Sequence, residues 1–176
     1  MATQTIYRGK KITLELESIS LPGHRTTQKE IVRHPGAVVI IPWVDDQRIC
    51  MVRNYRYTIK ETLLELPAGT LHPGEEAEAC AARELREEIG MAAGRLVKLG
   101  GVFLAPGYSQ EYLHVFLASA LTPSPLPRDA DEAITVEAIP VPEAQAMACD
   151  GRIADAKSLA SLLLAGPYLA DFSGRG

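Results

Sequence analysis

Residues 69–91 read GTLHPGEEAEACAARELREEIGM, with six glutamates between positions 75 and 88. From Glu75 to Ile89 most residues favour a helix and none is proline or glycine, whereas Pro73-Gly74 precede them and Gly90 follows. Helix formers bounded in this way predict one helix over residues 75–89, ended by a glycine. This is the best-defined helix in the sequence.

Three of these glutamates share one face of the predicted helix. At about 100° per residue, Glu84, Glu87 and Glu88 fall within an arc of about 100°. Like charges at such spacings destabilise a helix by roughly 0.2–0.5 kcal/mol per pair, and the helix dipole disfavours anions at this end. Hard divalent cations such as Mg²⁺ or Mn²⁺ prefer carboxylate oxygens and would offset the repulsion. Arg83, one turn before Glu87, can hold that carboxylate in position.

A small N-terminal antiparallel sheet is predicted for residues 1–36. Apolar and polar residues nearly alternate over positions 12–19, after the turn Arg8-Gly9-Lys10. A sheet of this size is too small to be stable alone, so we expect it to pack on the rest of the chain or on a second subunit. His34-Pro35-Gly36 is typical of a turn and marks the boundary to a second domain, residues 37–176.

The second domain is predicted to be a layered α/β sandwich with a mixed sheet, because strands are flanked by a central and a terminal helix. Apolar runs predict strands at residues 37–43, 48–54, 97–104, 112–118 and 134–141. Helical patterns follow at residues 143–149 and 155–164, and three prolines predict a surface loop at residues 121–131.

Composition argues against several classes of protein. The chain has 176 residues and is 47% hydrophobic, with a net charge of −4. This balance offers no basic surface for nucleic acid or an anionic membrane, and no segment approaches the roughly 20 apolar residues that span a bilayer. Without a signal-peptide pattern, a cytoplasmic location is expected. Cys50, Cys80 and Cys149 lack disulfide or zinc spacing and are interpreted as reduced core thiols.

The carboxylate segment as a whole resembles the Nudix box. Gly69, Glu75, the Arg83-Glu84 pair, the Glu87-Glu88 pair and Gly90 stand at the required spacings, and the two apolar positions are also met. Such a pattern should arise by chance less than roughly once in 10⁸ starts. The resemblance implies a Nudix-type α/β/α sandwich that hydrolyses, with Mg²⁺ or Mn²⁺, a pyrophosphate joining a nucleoside to a second group.

The resemblance also implies the metal ligands. Glu84 and Glu88 match the principal ligands of the family, and Glu87 would share the ion cluster. In the ADP-ribose group the backbone carbonyl before the box glycine is a further ligand, which falls here on Ala68. We expect Glu87 and Arg83 to act in catalysis as well.

Residues outside the box resemble the ADP-ribose pyrophosphatase subgroup. They are residues 63–69, which lead up to the first glycine of the box, Pro106 at 16 residues beyond Gly90, and the C-terminal patterns at residues 129–137 and 151–157. The likeness runs from about residue 34 to residue 164. It implies hydrolysis of ADP-ribose to AMP and ribose 5-phosphate, with Pro106 at the substrate.

The resemblance further implies a base on a mobile loop and an arginine that binds substrate. Glu132 is the first candidate for the base and Glu111 the second, and Glu111 is also a candidate substrate ligand. Arg56 matches a substrate-binding arginine that could clamp phosphate with its planar fork. In these enzymes the N-terminal sheet is exchanged within a homodimer, which makes Lys29 and Glu30 possible contacts to the other subunit's substrate.

Alternatives remain open at this stage. The substrate could be another nucleotide sugar, such as GDP-mannose, or a dinucleotide. The domain could also bind ADP-ribose without cleaving it. Taken singly, the charged residues Glu75, Glu76, Glu78 and Arg86 favour an ordinary solvated helix face, which would suit a purely structural α/β domain.

Overall fold

The computed structural model of the chain describes residues 2–23, 25–45, 47–128 and 133–173. Its strands are β1 (Thr3–Arg8), β2 (Thr13–Leu21), β3 (Arg25–Arg33), β4 (Ala37–Asp45), β5 (Arg48–Arg56), β6 (Glu61–Glu65), β7 (Ala68–Thr70), β8 (Met91–Phe103), β9 (Tyr112–Pro123) and β10 (Ile134–Pro140). Its helices are α1 (Ala77–Glu88), α2 (Val141–Asp150) and α3 (Ala156–Ser173). None of these helices is long and apolar enough to cross a membrane.

The strands form two sheets, which confirms the predicted α/β fold with an additional small antiparallel sheet. β1, β2 and β3 pair antiparallel in the small sheet. The main sheet has the order β10-β5-β4-β9-β8, with β6 paired to β5 and β7 paired to β4. β4 and β9 run parallel while β8 and β9 run antiparallel, so the main sheet is mixed, as predicted.

β4 lies in the middle of the main sheet with both faces covered, which explains its uninterrupted apolar run. Its side chains alternate between two hydrophobic clusters. Val39 and Ile41 pack in the cluster that contains the buried side chains of α2 and α3. Val38 and Ile40 pack with Leu85 of α1 in the other cluster. The main sheet is therefore a layer between α1 on one face and α2 and α3 on the other.

The two central strands separate along part of their length. Within the described residues, β4 and β5 pair only near their connecting turn, around Trp43↔Ile49. Further along, β7 pairs with the first part of β4 and β6 pairs with the last part of β5. The turn between β6 and β7 enters this split, where the N–H of Ile40 donates to the carbonyl of Pro67 at 2.9 Å. The split thus places the start of the box segment at the centre of the sheet.

The small sheet is joined to the main body at the end of β3. The N–H of Val32 donates to the carbonyl of Tyr108 at 2.8 Å, and the N–H of Gln110 donates to the carbonyl of Val32 at 3.2 Å. Arg33 Nη1 donates to Gln110 Oε1 at 2.8 Å. The loop that carries Pro106 is therefore in direct contact with the small sheet.

The helix bounds differ from those predicted. α1 begins at Ala77 rather than Glu75, because Glu75 closes a turn with His72. The Glu75 N–H donates to the His72 carbonyl at 3.0 Å, and Glu75 Oε2 accepts the His72 N–H at 2.9 Å. α3 continues well past the predicted end, since Ala165 and Leu169 are buried in the core. α2 also begins earlier than predicted, at Val141.

Four strands, β4, β5, β8 and β9, are longer than predicted, and two strands were not predicted. β8 and β9 pair from Met91↔Pro123 to Phe103↔Tyr112, so the proline-rich loop begins only after Pro123 rather than at residue 121. β6 and β7 were not predicted because they are short and form only where β4 and β5 separate, β6 pairing with β5 and β7 with β4.

The prediction that all three cysteines lie in the core was wrong for one of them. Cys50 and Cys80 are buried, whereas Cys149 is exposed, and all three are free thiols. α2 buries the face that carries Val141, Ala144 and Met147. Cys149 lies off this face and is exposed to solvent.

Candidate active site

The start of the box segment and the last turns of α1 face each other closely. The N–H of Ala68 donates to Oε2 of Glu88 at 3.2 Å. A Cβ built at Gly69 would lie 1.8 Å from Oε1 of Glu84. Glu84 is 8% exposed and Glu88 only 2%. The structure therefore brings three of the four predicted metal ligands, Ala68, Glu84 and Glu88, into one small region.

Arg83 connects three carboxylates in the same region. Its Nε and Nη2 donate to the two oxygens of Glu75, each at 2.9 Å. Its Nη1 donates to Glu84 Oε1 at 2.6 Å and to Glu87 Oε2 at 2.8 Å. The Arg83 hydrogen bonds lower the pKa of Glu75 from 4.5 to about 2, and the carboxylates, Glu75 foremost, raise the pKa of Arg83. One cation faces three anions, so the cluster keeps a negative charge.

The donors present fit a hard divalent cation. In the described part of the chain, no three His, Cys, Asp or Glu side chains are arranged to hold a metal ion by themselves. Mg²⁺, however, usually takes only one or two protein carboxylates and completes its shell with water and substrate phosphates. Buried Glu84 and Glu88 supply such a pair, and the missing side chain of Gly69 makes room for the carboxylate of Glu84. The oxygen chemistry and the close approach of Glu84 to Gly69 therefore fit a hard divalent cation.

A second charged cluster lies directly before the box segment. Glu65, at the end of β6, accepts a hydrogen bond from Arg56 Nε at 2.7 Å and another from Arg56 Nη2. Lys157 of α3 lies on its other side, with Nζ 2.5 Å from Oε2 of Glu65. The sequence indicated Arg56 but not the importance of Glu65. A single acidic residue inside the apolar run LLELPAG was the available signal.

Three other predicted residues, Glu111, Pro106 and Lys29, lie on β3 and between β8 and β9. Glu111 is partly exposed directly before β9, with its Oε1 3.9 Å from Nδ1 of His34. Pro106 lies exposed in the loop between β8 and β9. Lys29 is exposed on β3, opposite Glu17 of β2, and takes part in no side-chain hydrogen bond among the described residues. Glu132, the first candidate for the base, lies outside the described residues.

The match to known proteins decides the family. The sequence matches the NUDIX domain over residues 32–162. The chain belongs to the Nudix family. It is 40% identical over 141 residues to an ADP-ribose pyrophosphatase of Bacillus subtilis (strain 168), covering 80% of this chain and 76% of that protein. It is 35% identical over 168 residues to an ADP-ribose pyrophosphatase of Mycobacterium tuberculosis (strain ATCC 25618 / H37Rv), covering 93% and 80%.

A solved structure supports the same Nudix fold. The crystal structure of an ADP compounds hydrolase matches with a TM-score of 0.86 and 25% sequence identity, over 100% of this chain and 95% of that chain. The resemblance found in the sequence is thereby confirmed for the family and for the fold.

One further residue at the Nudix helix was not predicted. Arg128 donates from Nη2 to the carbonyl of Glu88 at 2.7 Å and from Nε to the carbonyl of Glu87 at 3.1 Å. Its Nη1 donates to the carbonyl of Ile134 at 3.0 Å. A cation at the last carbonyls of a helix interacts favourably with the helix dipole. Arg128 therefore joins the start of β10 to the end of α1.

Proposed function

We propose that this Nudix protein hydrolyses the pyrophosphate of ADP-ribose to AMP and ribose 5-phosphate. The observation that carries the proposal is the position of Glu84 and Glu88 against the backbone of Ala68 and Gly69. This arrangement gathers oxygen donors in the segment that matches the Nudix box. The choice of ADP-ribose rests on the two relatives named ADP-ribose pyrophosphatase, which match most of the chain.

Divalent metal is a general requirement of Nudix hydrolases, and here Glu84 and Glu88, with Glu87 and the Ala68 carbonyl, would hold Mg²⁺ or Mn²⁺. When bound, the metal neutralises charge on the diphosphate oxygens and lowers the pKa of the attacking water. Arg83 donates to both Glu84 and Glu87, which fixes the direction of their carboxylates.

Arg56 is proposed to bind the diphosphate, with Pro106 bordering the substrate. Glu65 takes up Nε and Nη2 of the guanidinium. Among the described residues, Nη1 has no hydrogen-bond partner, so its donors remain for a phosphate oxygen. A planar guanidinium held on one edge can present the other edge to an anion with little loss of entropy.

The proton of the attacking water is proposed to go to Glu132, with Glu111 as the second candidate. The water oxygen then bonds to one phosphorus, and the bond from that phosphorus to the bridging oxygen breaks. We expect Glu132→Gln to lower kcat by about 100-fold or more, as loss of a general base does. Glu111→Gln should have the smaller effect. The reverse order of the two variants would assign the base to Glu111.

The test of the function is product analysis with ADP-ribose, GDP-mannose and diadenosine polyphosphates in the presence of Mg²⁺. Glu88→Gln should abolish cleavage of ADP-ribose, whereas Glu78→Gln, at an exposed glutamate on the same helix, should not. Cleavage of another substrate alone would retain the hydrolase and reject ADP-ribose. Binding of ADP-ribose without cleavage would show a non-catalytic binding module, and replacing Mg²⁺ by Mn²⁺ identifies the better metal.

We also propose a homodimer that uses residues 1–36 as its joining element. Ile6 and Tyr7 are 49% and 58% exposed on β1, which leaves apolar surface that a second subunit can cover. Lys29 and Glu30 would then approach the substrate of the other subunit. Light scattering should show a dimer for the native chain and a monomer for the double variant Ile6→Asp, Tyr7→Asp. A native monomer would reject this part of the proposal.

A further inference from the structure

Glu65 is a deeply buried anion that contacts two cations. It is 1% exposed, and its carboxylate binds both Arg56 and Lys157. A buried carboxylate lowers stability unless it is paired and hydrogen-bonded. Arg56 alone already offers two hydrogen bonds to Glu65. The pairing of Glu65 with Arg56 therefore does not by itself explain why Lys157 also binds this carboxylate.

Lys157 is fixed by the first turn of α3. Its side chain is 11% exposed, and its Nζ lies 2.9 Å from Oδ2 of Asp155. The same Asp155 oxygen accepts the N–H of Ser158 at 3.0 Å and the Ser158 hydroxyl at 2.6 Å, as a helix cap does. Ser158 Oγ in turn accepts the N–H of Leu66 at 2.7 Å. α3 thus holds both the side chain of Glu65 and the backbone that follows it.

Arg56 is the member of this network that reaches solvent. Its side chain is 39% exposed, compared with 1% for Glu65 and 11% for Lys157. Arg56 binds Glu65, which lies three residues before Ala68, and the N–H of Ala68 donates to Glu88 of the Nudix helix. Glu65 first, then Asp155 and Glu88, also raise the pKa of Arg56. Arg56 therefore faces the region where the diphosphate of the proposed substrate would lie.

The charge of the network decides what a diphosphate meets at Arg56. Arg56 and Lys157 together balance Glu65 and Asp155. Without Lys157, the remaining three groups would carry a net negative charge next to the carboxylates of the Nudix helix. In partly buried surroundings such a charge is weakly screened and disfavours an anionic ligand.

We propose that Lys157 is a positioning residue for Arg56. By neutralising Glu65 and fixing its carboxylate, Lys157 leaves the charge and the Nη1 donors of Arg56 to the substrate diphosphate. The inference rests on the proposed function, because it concerns how the same site binds its anionic substrate. The proposal gives the C-terminal Asp155-Ala-Lys157 pattern a role in substrate binding. Lys157 would act through Arg56, which lies 101 positions earlier in the chain.

The test is a double-mutant cycle in which KM and kcat for ADP-ribose are measured at saturating Mg²⁺. Lys157→Met should raise KM about tenfold and leave kcat within about threefold. The interaction that is lost binds the substrate equally in the ground state and in the transition state. Lys157→Arg, which keeps the charge, should hold KM within about threefold. In an Arg56→Ala background, Lys157→Met should raise KM no further, because coupled residues are not additive.

The outcomes separate this inference from the proposed function. Arg152→Met, which removes an exposed cation paired with Asp150, is the matched control and should leave KM unchanged. If native enzyme does not cleave ADP-ribose, the proposed function fails. If native enzyme cleaves it while Lys157→Met leaves KM unchanged, or raises KM equally without Arg56, the role of Lys157 is overturned.

A second variant covers the case in which Lys157→Met does not fold. Glu65→Gln combined with Lys157→Met removes both charges of the buried pair and leaves an amide to accept from Arg56. Arg56 and Asp155 then remain, so the network has the same net charge as in the native enzyme, and the KM of the double variant should stay within about threefold of native. A tenfold rise of KM in this folded double variant would overturn the proposal.

Discussion

Gly69 faces the carboxylate of Glu84 so closely that a Cβ at position 69 would lie 1.8 Å from Oε1 and 1.9 Å from the carboxyl carbon. Glu84 cannot swing freely, because Arg83 Nη1 donates to the same oxygen at 2.6 Å. Gly69 is therefore required by the position of a neighbouring side chain. Its φ is not positive, unlike those of Gly74 and Gly90.

We expect Gly69→Ala to lower the rate of ADP-ribose hydrolysis by about 100-fold, because displacing a site group by about 1 Å has effects of this size. The added methyl group should also destabilise the fold by about 1–3 kcal/mol. Steady-state kinetics and thermal unfolding measure both effects. Gly166→Ala is the control, since a Cβ there meets nothing within 4 Å. Native activity in Gly69→Ala would show that Glu84 need not keep this position.

Arg83→Lys should lower kcat by about 10- to 100-fold, as the loss of a residue that orients metal ligands does. A lysine cannot reproduce the fork that reaches Glu75, Glu84 and Glu87 together. Arg86→Lys is a matched control on the same helix, because Arg86 Nε donates to the carbonyl of Ser124 instead. Equal losses of kcat in both variants would contradict the role given to Arg83.

The ion pair of Glu75 with Arg83 should make stability depend on pH in acid. The folded pKa of Glu75, about 2, is below its ordinary value of 4.5, so its stabilisation is complete above pH 4.5 and is lost as the pH falls toward 2. Glu75→Gln should be less stable by about 1–2 kcal/mol at pH 7, after allowance for screening. Urea unfolding of both proteins at several pH values measures this difference. A difference that stays constant down to pH 2.5 would refute the pairing.

One of the three thiols should react quickly in the native protein. Cys149 is exposed, whereas burial raises the pKa of Cys50 and raises that of Cys80 to about 12, and the thiolate is the reactive species. Titration with a chromogenic disulfide should show one fast thiol before denaturation and three afterwards. The variant Cys149→Ser should show no fast thiol. A fast reaction that persists in Cys149→Ser would show that a core cysteine is accessible.

Sequence predicted α1 and its carboxylates because their relations are local. Helix geometry alone places Arg83 one turn before Glu87, and in the structure Arg83 Nη1 donates to Glu87 Oε2 at 2.8 Å. Gly69 and Glu75 could be included because the spacing of the whole segment resembles that of one family. The strands of the small N-terminal sheet and of the main sheet were also predictable in part, since alternating and continuous apolar runs are typical of strands.

Contacts between distant parts of the chain could not be predicted in this way. Lys157 follows Glu65 by 92 positions, and Arg128 follows Glu88 by 40. No periodicity links such positions, so the sequence does not show which of these charges are partners. β6 and β7 were missed for a related reason, because they depend on the separation of β4 and β5.

The sequence by itself determined the Nudix box, the helix that carries it and the layers around the main sheet, because these follow from spacing and periodicity within short segments. Only the tertiary structure decided which charges surround Arg56 and which backbone atoms face Glu84 and Glu88. The physical reason is that the cost of burying Glu65 arises only when β6, β5 and α3 exclude water from it together. The partners of buried Glu65 therefore depend on how these elements pack together.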